Sequence, residues 1–298
     1  MMTTIEESYL ATPGSASSVE NMPRITRILF PVDFSDSCRG AARYVEVFAG
    51  RFDAEVTFIH SVAMGERVLA EELLPGRAEQ LEKYLAEDFK HFNVRRVCRI
   101  GEPVETIVEE ASTWQPDLVM MPTHGVGYFR RHLLGSVTAK LLHDLTCPVW
   151  TSVHAEAAPR LEDIHCRRVL CAVDLGDTSE AVLKWAAWLA GRFDAKLALA
   201  HAASDISGSV EAWPVADELR RAVMETTKKR LAQLQAAAGS NAELFVESGV
   251  PSTVISESAK RFGADLIVIG RHSGAGLAKL FNAAYSIFTD SPCPVISV

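Results

Sequence analysis

The chain has no apolar run of the length that a membrane-spanning helix needs. Its longest apolar stretches, such as "DLIVIG" from Asp265, are strand-sized, whereas roughly 20 residues are needed to cross a bilayer. Acidic residues outnumber basic ones by 38 to 30, which gives a formal net charge of -8. Because there is also no basic stripe, binding to nucleic acid or to an anionic membrane is not expected.

Cysteine is scarce, and its spacing does not suit a metal or redox site. The six cysteines include no C-x-x-C pair, which argues against a zinc site and against a thioredoxin-type motif. Cys147 and Cys293 each begin a "CPV" run, and we interpret them as small packing residues. Residues 1–23 have neither a basic segment nor an apolar core. We therefore expect a disordered tail, no signal peptide, and a reduced, cytoplasmic protein.

One segment of the sequence occurs twice. The word "AGRFDA" is identical at residues 49–54 and 190–195, and Asp33 pairs with Asp174 at the same offset of 141 positions. Later landmarks shift that offset to 148 and then to 146, so the copies differ by two small changes in length. An identical word in register with several other landmarks indicates a tandem duplication.

The duplication predicts two domains of ordinary size. We place the first at 24–153 and the second at 165–298. Residues 154–164 between them are polar and contain alanine and proline, as is typical of a linker.

Each copy alternates apolar, strand-like runs with amphipathic, helix-like segments. Five strands that alternate with helices predict an α/β fold with a parallel sheet and right-handed crossovers. Ligands of such sheets bind beyond the carboxyl ends of the strands, so the ends of strands one and four are the places to search. The helices predicted in copy one span residues 37–50, Val68 to about Phe92, Pro103–Trp114 and Ser136–Leu145.

Strand one of copy one ends at Asp33. A carboxylate there can accept hydrogen bonds from an adenine amino group or from a ribose hydroxyl. It can equally cap the turn or helix that follows. The residue alone does not decide between these roles.

The loop after strand four is a candidate phosphate site. Gly125 and Gly135 allow a close backbone approach, and Ser136 opens a helix whose N-terminus favours anions. Arg130 and Arg131 could add donors, but the pattern favours solvated arginines over bound ones. The alternative is a loop in which the glycines serve turn geometry alone and Ser136 caps the helix.

Other nucleotide and catalytic motifs are missing or incomplete. No G-x-x-x-x-G-K-[ST] loop is present, and "GVGYFR" lacks the third glycine of a dinucleotide fingerprint and follows the wrong strand. His60 and His201 lie in apolar runs and are interpreted as core or strand-end residues. No Ser-His-Asp arrangement and no metal-ligand spacing supports catalysis.

Taken together, these residues resemble the universal stress protein family. The resemblance rests on "VDFSD" after strand one, "THG" after strand four, the G-x-x-G-x9-G-[ST] pattern, and "CPV" before the last strand. It covers both copies and implies a flavodoxin-like, adenine nucleotide α-hydrolase-like sheet in each, with strand order 3-2-1-4-5. Some members of the family bind ATP or AMP and others bind no nucleotide. Members commonly dimerise through their last strands, which a tandem protein can pair within one chain; a further homodimer stays open.

The resemblance implies a nucleotide site in copy one, with ATP, alone or with Mg²⁺, as the ligand. The adenosine contacts would fall on Pro31, Val32, Asp33 and the backbone of Ile59. The ribose and phosphate path would be lined by Met121, Pro122, His124 and Gly125. The phosphates would be held by Gly135, Ser136 and Val137.

Pro122 departs from the family pattern, which has glycine at this position. Proline has no amide hydrogen and fixes φ. If the site needs that amide or a positive φ, nucleotide binding weakens. If only the carbonyl is used, binding survives.

Copy two departs further. It keeps Asp174 and Gly270, but Ser273 replaces the second glycine of the pattern. The G-[ST] pair becomes Phe281-Asn282 when counted from the last strand, or Ala283-Ala284 when counted from Gly270. We expect that copy two does not bind ATP in the same manner and has a structural or regulatory role.

Three functions follow from these observations, in decreasing order of support. The first is a stress-response regulator that binds ATP through copy one and is not a turnover enzyme, with slow ATP hydrolysis left open. The second is a protein-interaction module that binds no nucleotide, which Pro122 favours. The third is a nucleotide-dependent enzyme, which lacks a recognisable nucleophile–base pair or metal cluster.

Overall fold

A computed structural model of the chain describes residues 23–63, 67–125, 134–203, 216–271 and 284–298. The tail predicted for residues 1–23 lies outside these ranges except for its last residue, and so does the arginine pair at 130–131. Within the described ranges, no helix combines the length and the apolarity that crossing a membrane requires.

Strands and helices alternate through both copies, as the sequence predicts. Copy one comprises β1 (Arg27–Pro31), α1 (Asp36–Phe52), β2 (Glu55–Val62), α2 (Arg67–Lys83), β3 (Val94–Ile100), α3 (Pro103–Trp114), β4 (Leu118–Pro122), α4 (Ser136–Asp144) and β5 (Val149–Ser152). Copy two comprises β6 (Arg168–Ala172), α5 (Ser179–Phe193), β7 (Lys196–Ala203), α6 (Ala216–Ala238), β8 (Glu243–Ser248), α7 (Pro251–Phe262), β9 (Leu266–Ile269), α8 (Ala284–Asp290) and β10 (Val295–Ser297).

Helix α1 shows how local chemistry sets the ends of an element. It begins after Ser35, whose hydroxyl accepts a hydrogen bond from the amide of Cys38, as an N-cap does. Ser37, at which the sequence predicts the helix to start, lies one residue inside it. The stop predicted at Gly50 is wrong, because the helix continues to Phe52 and ends at Asp53 in the left-handed conformation, with φ of 52°.

Helix α2 is shorter than the sequence pattern predicts. It ends at Lys83, and Leu85 then adopts a positive φ of 53°, so the helix expected to reach about Phe92 is wrong over its last turns. Tyr84 and Phe89 are buried beside the ring of Phe58 in β2. Packing of these aromatic rings on the sheet replaces the continuation of the helix.

The strands of both copies form one sheet of ten strands. Its order is β3-β2-β1-β4-β5-β10-β9-β6-β7-β8, so each half has the predicted order 3-2-1-4-5. The pairing of last strands within one chain, which the resemblance implies, is confirmed: β5 and β10 pair and join the two five-stranded halves into one sheet. That pairing is antiparallel and places Ile296 opposite Trp150. All other neighbouring strands are parallel, and the sheet is therefore mixed.

The segment between the copies packs against α1. A Cβ on Gly40 would lie 1.7 Å from the carbonyl oxygen of Ala155, so only glycine permits this approach. Arg43 donates from Nη1 to the carbonyl oxygens of Ala158 and Pro159, at 2.7 and 2.9 Å. These contacts fix the start of the segment on the surface of copy one.

Candidate functional site

The carboxyl ends of β1 and β4 lie side by side where the strand order of copy one reverses. Successive connections leave such a point in opposite directions, which opens a crevice above the sheet. Val32 and Asp33 follow β1, and His124 and Gly125 follow β4 shortly after it ends. The topology therefore brings the two predicted strand-end motifs to one crevice.

Asp33 uses its two carboxylate oxygens differently. Oδ1 accepts hydrogen bonds from the amide and the hydroxyl of Ser35, at 3.0 and 2.6 Å, so this oxygen stabilises the turn. Oδ2 faces the backbone of Gly125, where an added Cβ would lie only 2.0 Å away. One oxygen is thus held by the turn after β1, and the other lies against the backbone of Gly125 after β4.

A hydrogen-bonded link joins the end of β4 to the start of α4. The amide and the hydroxyl of Thr123 both donate to the carbonyl oxygen of Ser152, at 3.2 Å each. The carbonyl oxygen of Thr123 accepts from the amide of Gly135 at 2.8 Å. From the first turn of α4, the hydroxyl of Thr138 donates to the carbonyl oxygen of Pro122 at 3.2 Å. The N-terminus of α4 is therefore held at the end of β4.

The N-terminus of α4 has the properties of an anion site. Its N-cap is Gly135, with φ of -61° and ψ of 147° and no side-chain hydrogen bond to the helix. The first amides of a helix lack acceptors within the helix, and Ser136, the first residue, is exposed. Gly135 itself donates its amide to Thr123. Ser136 and Val137 are therefore the residues whose amides could meet a phosphate.

Pro122 fits the strand without a left-handed backbone. It is the last residue of β4 and pairs with Ser152 of β5, and it is not among the residues with positive φ. Position 122 therefore does not require the conformational freedom of glycine. The missing amide remains a difference, because Pro122 cannot donate to a ligand.

The end of β2 contributes His60 and Ile59. The Nδ1 atom of His60 lies 2.7 Å from the carbonyl oxygen of Val32, and a carbonyl only accepts, so Nδ1 carries the hydrogen. Burial lowers the pKa of His60, which favours the neutral ring. The carbonyl of Ile59, predicted to face adenine, accepts from the amide of Val32 at 2.8 Å, and only its second lone pair stays available.

The predicted site residues divide into two groups. The side chains of Ile59 and Met121 are buried together in the apolar core, so they can meet a ligand only through their backbone. The others lie at the ends of β1 and β4 or at the start of α4: Pro31, Val32, Asp33, Pro122, His124, Gly125, Gly135, Ser136 and Val137.

Sequence reasoning missed three hydroxyl side chains that build this site, those of Ser35, Thr123 and Thr138. Thr123 lies within the "THG" word itself, and its hydroxyl lies within hydrogen-bonding distance of the carbonyl oxygen of Ser152, at 3.2 Å, and of Nδ1 of His124, at 3.1 Å. Thr123 lies between Pro122 and His124, two predicted site residues, and this position is the sequence signal that points to it.

Two groups of residues in this crevice bear on its chemistry. Cys38 lies in the first turn of α1, where burial raises the pKa of its thiol to about 12, so it is not a thiolate nucleophile. Among the described residues, no group of histidine, cysteine and acidic side chains is arranged to hold a metal ion.

Copy two repeats the strand ends. Oδ1 of Asp174 accepts from the amide of Gly176 at 2.8 Å, and Nδ1 of His201 lies 2.8 Å from the carbonyl oxygen of Val173. A cleft of about 490 Å³ opens between these strand ends and α6, with Arg230 on its wall. Of the positions at which copy two departs from the motif, 273 and 281–283 lie outside the described residues, and Ala284 is the first residue of α8.

Comparison with known proteins gives concordant results for both copies. A model of the universal stress protein family matches residues 24–152 and 165–298. A universal stress protein of Methanocaldococcus jannaschii is 32% identical over 134 residues, which cover 41% of this chain and 79% of that protein. A universal stress protein of Mycolicibacterium smegmatis is 26% identical over 277 residues, covering 87% of this chain and 91% of that one.

The fold also matches a solved structure over nearly the whole chain. The crystal structure of a universal stress protein from Archaeoglobus fulgidus superposes with a TM-score of 0.69 and 19% identity, covering 92% of this chain and 96% of that chain. At this identity the match concerns the fold alone. The family match in both copies is the stronger result, and the chain therefore belongs to the universal stress protein family, as a tandem member with two of its domains.

Proposed function

We propose that copy one binds an adenine nucleotide, ATP with or without Mg²⁺, and that the chain is a cytoplasmic stress-response regulator and not a turnover enzyme. The observation that carries the proposal is the convergence of three groups on one crevice. These are Oδ2 of Asp33, the bare backbone of Gly125, and the N-terminus of α4. An acceptor at one end and free amides at the other suit a nucleoside that carries phosphates.

The three groups would have separate tasks. Asp33 would accept hydrogen bonds from a ribose hydroxyl or from the adenine amino group, while Ser35 keeps its other oxygen in place. Gly125 would let the carboxylate of Asp33 lie against the loop after β4, because an added Cβ would come within 2.0 Å of Oδ2. The amides of Ser136 and Val137, together with the exposed Ser136 hydroxyl, would bind the phosphates, to which the positive end of the helix dipole is also attracted.

Copy two would act as a structural or regulatory partner that does not bind ATP in the same manner. Support comes from the loss of the close-approach glycine from its motif. The cleft beside Asp174 and His201 is large enough for a small molecule, so the number of sites per chain must be measured directly.

The test is a calorimetric titration of the full chain with Mg-ATP, read for stoichiometry. One site per chain, abolished by Gly135→Trp, is the expected result. Two sites per chain would contradict the proposal that copy two does not bind ATP, and its cleft beside Asp174 and His201 would be the candidate second site. Absence of binding by folded, nucleotide-free protein would contradict the proposal.

A second candidate is a protein-interaction module without nucleotide, which the missing amide of Pro122 favours. Introducing Gly135→Trp into cells separates the two functions. An ATP-dependent regulator should lose its stress phenotype, whereas an interaction module should keep it.

A further inference from the structure

Helix α4 lies between the two copies and packs on both. Leu141 and Leu145 are buried in the apolar core of copy one. Leu134, just before the helix, is buried among core residues of copy two, and Ala139 and Leu142 pack against the same cluster. The helix that opens with the candidate phosphate site is therefore part of the interface with copy two.

Copy two also contacts the backbone at the N-terminal end of α4. The hydroxyl of Tyr285, in α8, accepts from the amide of Leu134 at 3.0 Å and lies 3.4 Å from the carbonyl oxygen of the same residue. A phenol can accept and donate at once. Leu134 immediately precedes Gly135, so these contacts hold the chain at the entrance to the helix.

A second residue of copy two contacts the C-terminal end of the helix. Nη1 of Arg271 donates to the carbonyl oxygens of Leu142 and Leu145, at 3.2 and 3.0 Å, and Nη2 donates to that of Cys147. The last carbonyls of a helix lack partners within the helix and carry the negative end of its dipole. The guanidinium of Arg271 therefore donates hydrogen bonds to these carbonyls and places a positive charge at the negative end of the dipole.

The position of Arg271 in the repeat is informative. It follows β9 at the place that Thr123 occupies in copy one. Its backbone amide donates to the carbonyl oxygen of Val298 at 2.7 Å, which ties it to the end of the sheet. The residues that follow β4 hold the start of α4 within copy one. Arg271, at the equivalent position after β9 in copy two, binds the other end of the same helix.

We propose that copy two sets the position of the phosphate-binding helix of copy one, with Tyr285 and Arg271 as positioning residues at its two ends. This inference rests on the proposed nucleotide site. Hydrogen bonds from amides to a phosphate weaken steeply with distance and angle, so a helix freed at either end binds phosphate less well. The strand-end groups that would contact adenosine, such as Asp33, are held within copy one and do not depend on these contacts.

The proposal makes a prediction that general destabilisation does not make. Tyr285→Phe and Arg271→Gln should weaken the binding of ATP roughly three- to tenfold, as expected for the loss of one or two hydrogen bonds. Both variants should bind adenosine, which has no phosphate, as tightly as the original chain does. Tyr285→Phe keeps the ring and its packing, so it guards against failure of Arg271→Gln to fold.

Matched controls exist within the chain. Tyr44→Phe removes only the hydroxyl of a ring that packs on Trp150. Arg43→Gln removes a guanidinium that donates to two carbonyl oxygens of the connecting segment. Neither has contacts with α4 among those described, so both should leave the affinity for ATP unchanged.

The experiment is a pair of calorimetric titrations, with ATP and with adenosine, on all five full-length proteins. Weaker ATP binding with unchanged adenosine binding in the Tyr285 and Arg271 variants is the expected result. Equal loss for both ligands, or unchanged ATP binding in both variants, would overturn this inference and leave the nucleotide site intact. If the original chain binds neither ligand, the proposed function fails first and this inference fails with it.

Discussion

The guanidinium carbon of Arg51, in α1, lies 5.6 Å from the centre of the Phe193 ring at the end of α5. The reciprocal contact is also present, because Arg192 lies 5.7 Å from the ring centre of Phe52. These residues occupy matching places in the word "AGRFDA". Residues that exchange contacts in this way form an isologous interface. The identical word therefore marks the pseudo-twofold contact between the copies.

This contact should make a measurable contribution to stability. The rings of Phe52 and Phe193 are 5.6 Å apart in an edge-to-face arrangement. Each Phe→Ala substitution should lower the free energy of unfolding by about 2 kcal/mol, less than in a full core because the rings are half-buried. The double variant should lose less than the sum, by about 1 kcal/mol. Urea unfolding of the four proteins measures this coupling.

The control for that cycle is Phe245→Ala, whose ring packs on Phe262 in the far half of copy two. Combined with Phe52→Ala, it should give additive losses, since distant sites do not couple. Additive losses for Phe52 and Phe193 as well would show that the contact contributes nothing specific.

Gly125→Ala should reduce ATP affinity at least tenfold. The added Cβ would lie 2.0 Å from Oδ2 of Asp33, so the carboxylate or the loop must move and the crevice changes shape. Gly191→Ala is the matched control, because a Cβ there meets nothing within 4 Å, and its affinity should equal that of the original chain. Equal affinity of both variants would mean that the nucleotide does not use this crevice.

Asp33→Asn tests the carboxylate more gently. Asparagine keeps an oxygen that can accept from Ser35, and so preserves the turn, but it replaces the second oxygen with a donor. We expect about tenfold weaker binding of ATP, the order expected for losing a hydrogen bond to a charged group. Asp174→Asn makes the same change in copy two and should leave ATP binding unaltered. Weaker ATP binding by Asp174→Asn, with unchanged binding by Asp33→Asn, would show that the site is in copy two.

His60 should make the stability of the chain depend on pH. Burial lowers its pKa in the folded state, whereas the unfolded chain takes up this proton near pH 6.5. The unfolded state therefore binds more protons as the pH falls below that value, and the folded state loses stability on acidification. His60→Gln should show a smaller loss between pH 7.5 and pH 5. Urea unfolding at both pH values checks this, and an unchanged loss would exclude His60 as the cause.

The sequence predicted elements best where local chemistry decides them. Helix α3 has its predicted ends, with Pro103 at the start, where its missing amide is harmless. The predicted end of α2 is wrong because the chain after Lys83 packs the rings of Tyr84 and Phe89 against Phe58 in the core instead of continuing as a helix. Charge and spacing along the chain do not reveal such a competition, which depends on a partner strand distant in sequence.

Contacts between the copies were beyond sequence reasoning for a related reason. Arg271 follows strand four of copy two and was not singled out, because its acceptors are backbone carbonyls of copy one. Backbone acceptors have no signature in a sequence. The same holds for Tyr285, whose partner is the backbone of Leu134.

The antiparallel pair β5–β10 has a consequence for how the two halves can change. Two identical subunits joined through these strands would carry each substitution twice, once on either side of the axis. In a fused chain, each side accumulates substitutions alone while Trp150 and Ile296 keep the seam closed. One half can then give up its ligand loop without harming the other. Covalent fusion thereby allows the two halves of one sheet to diverge in sequence.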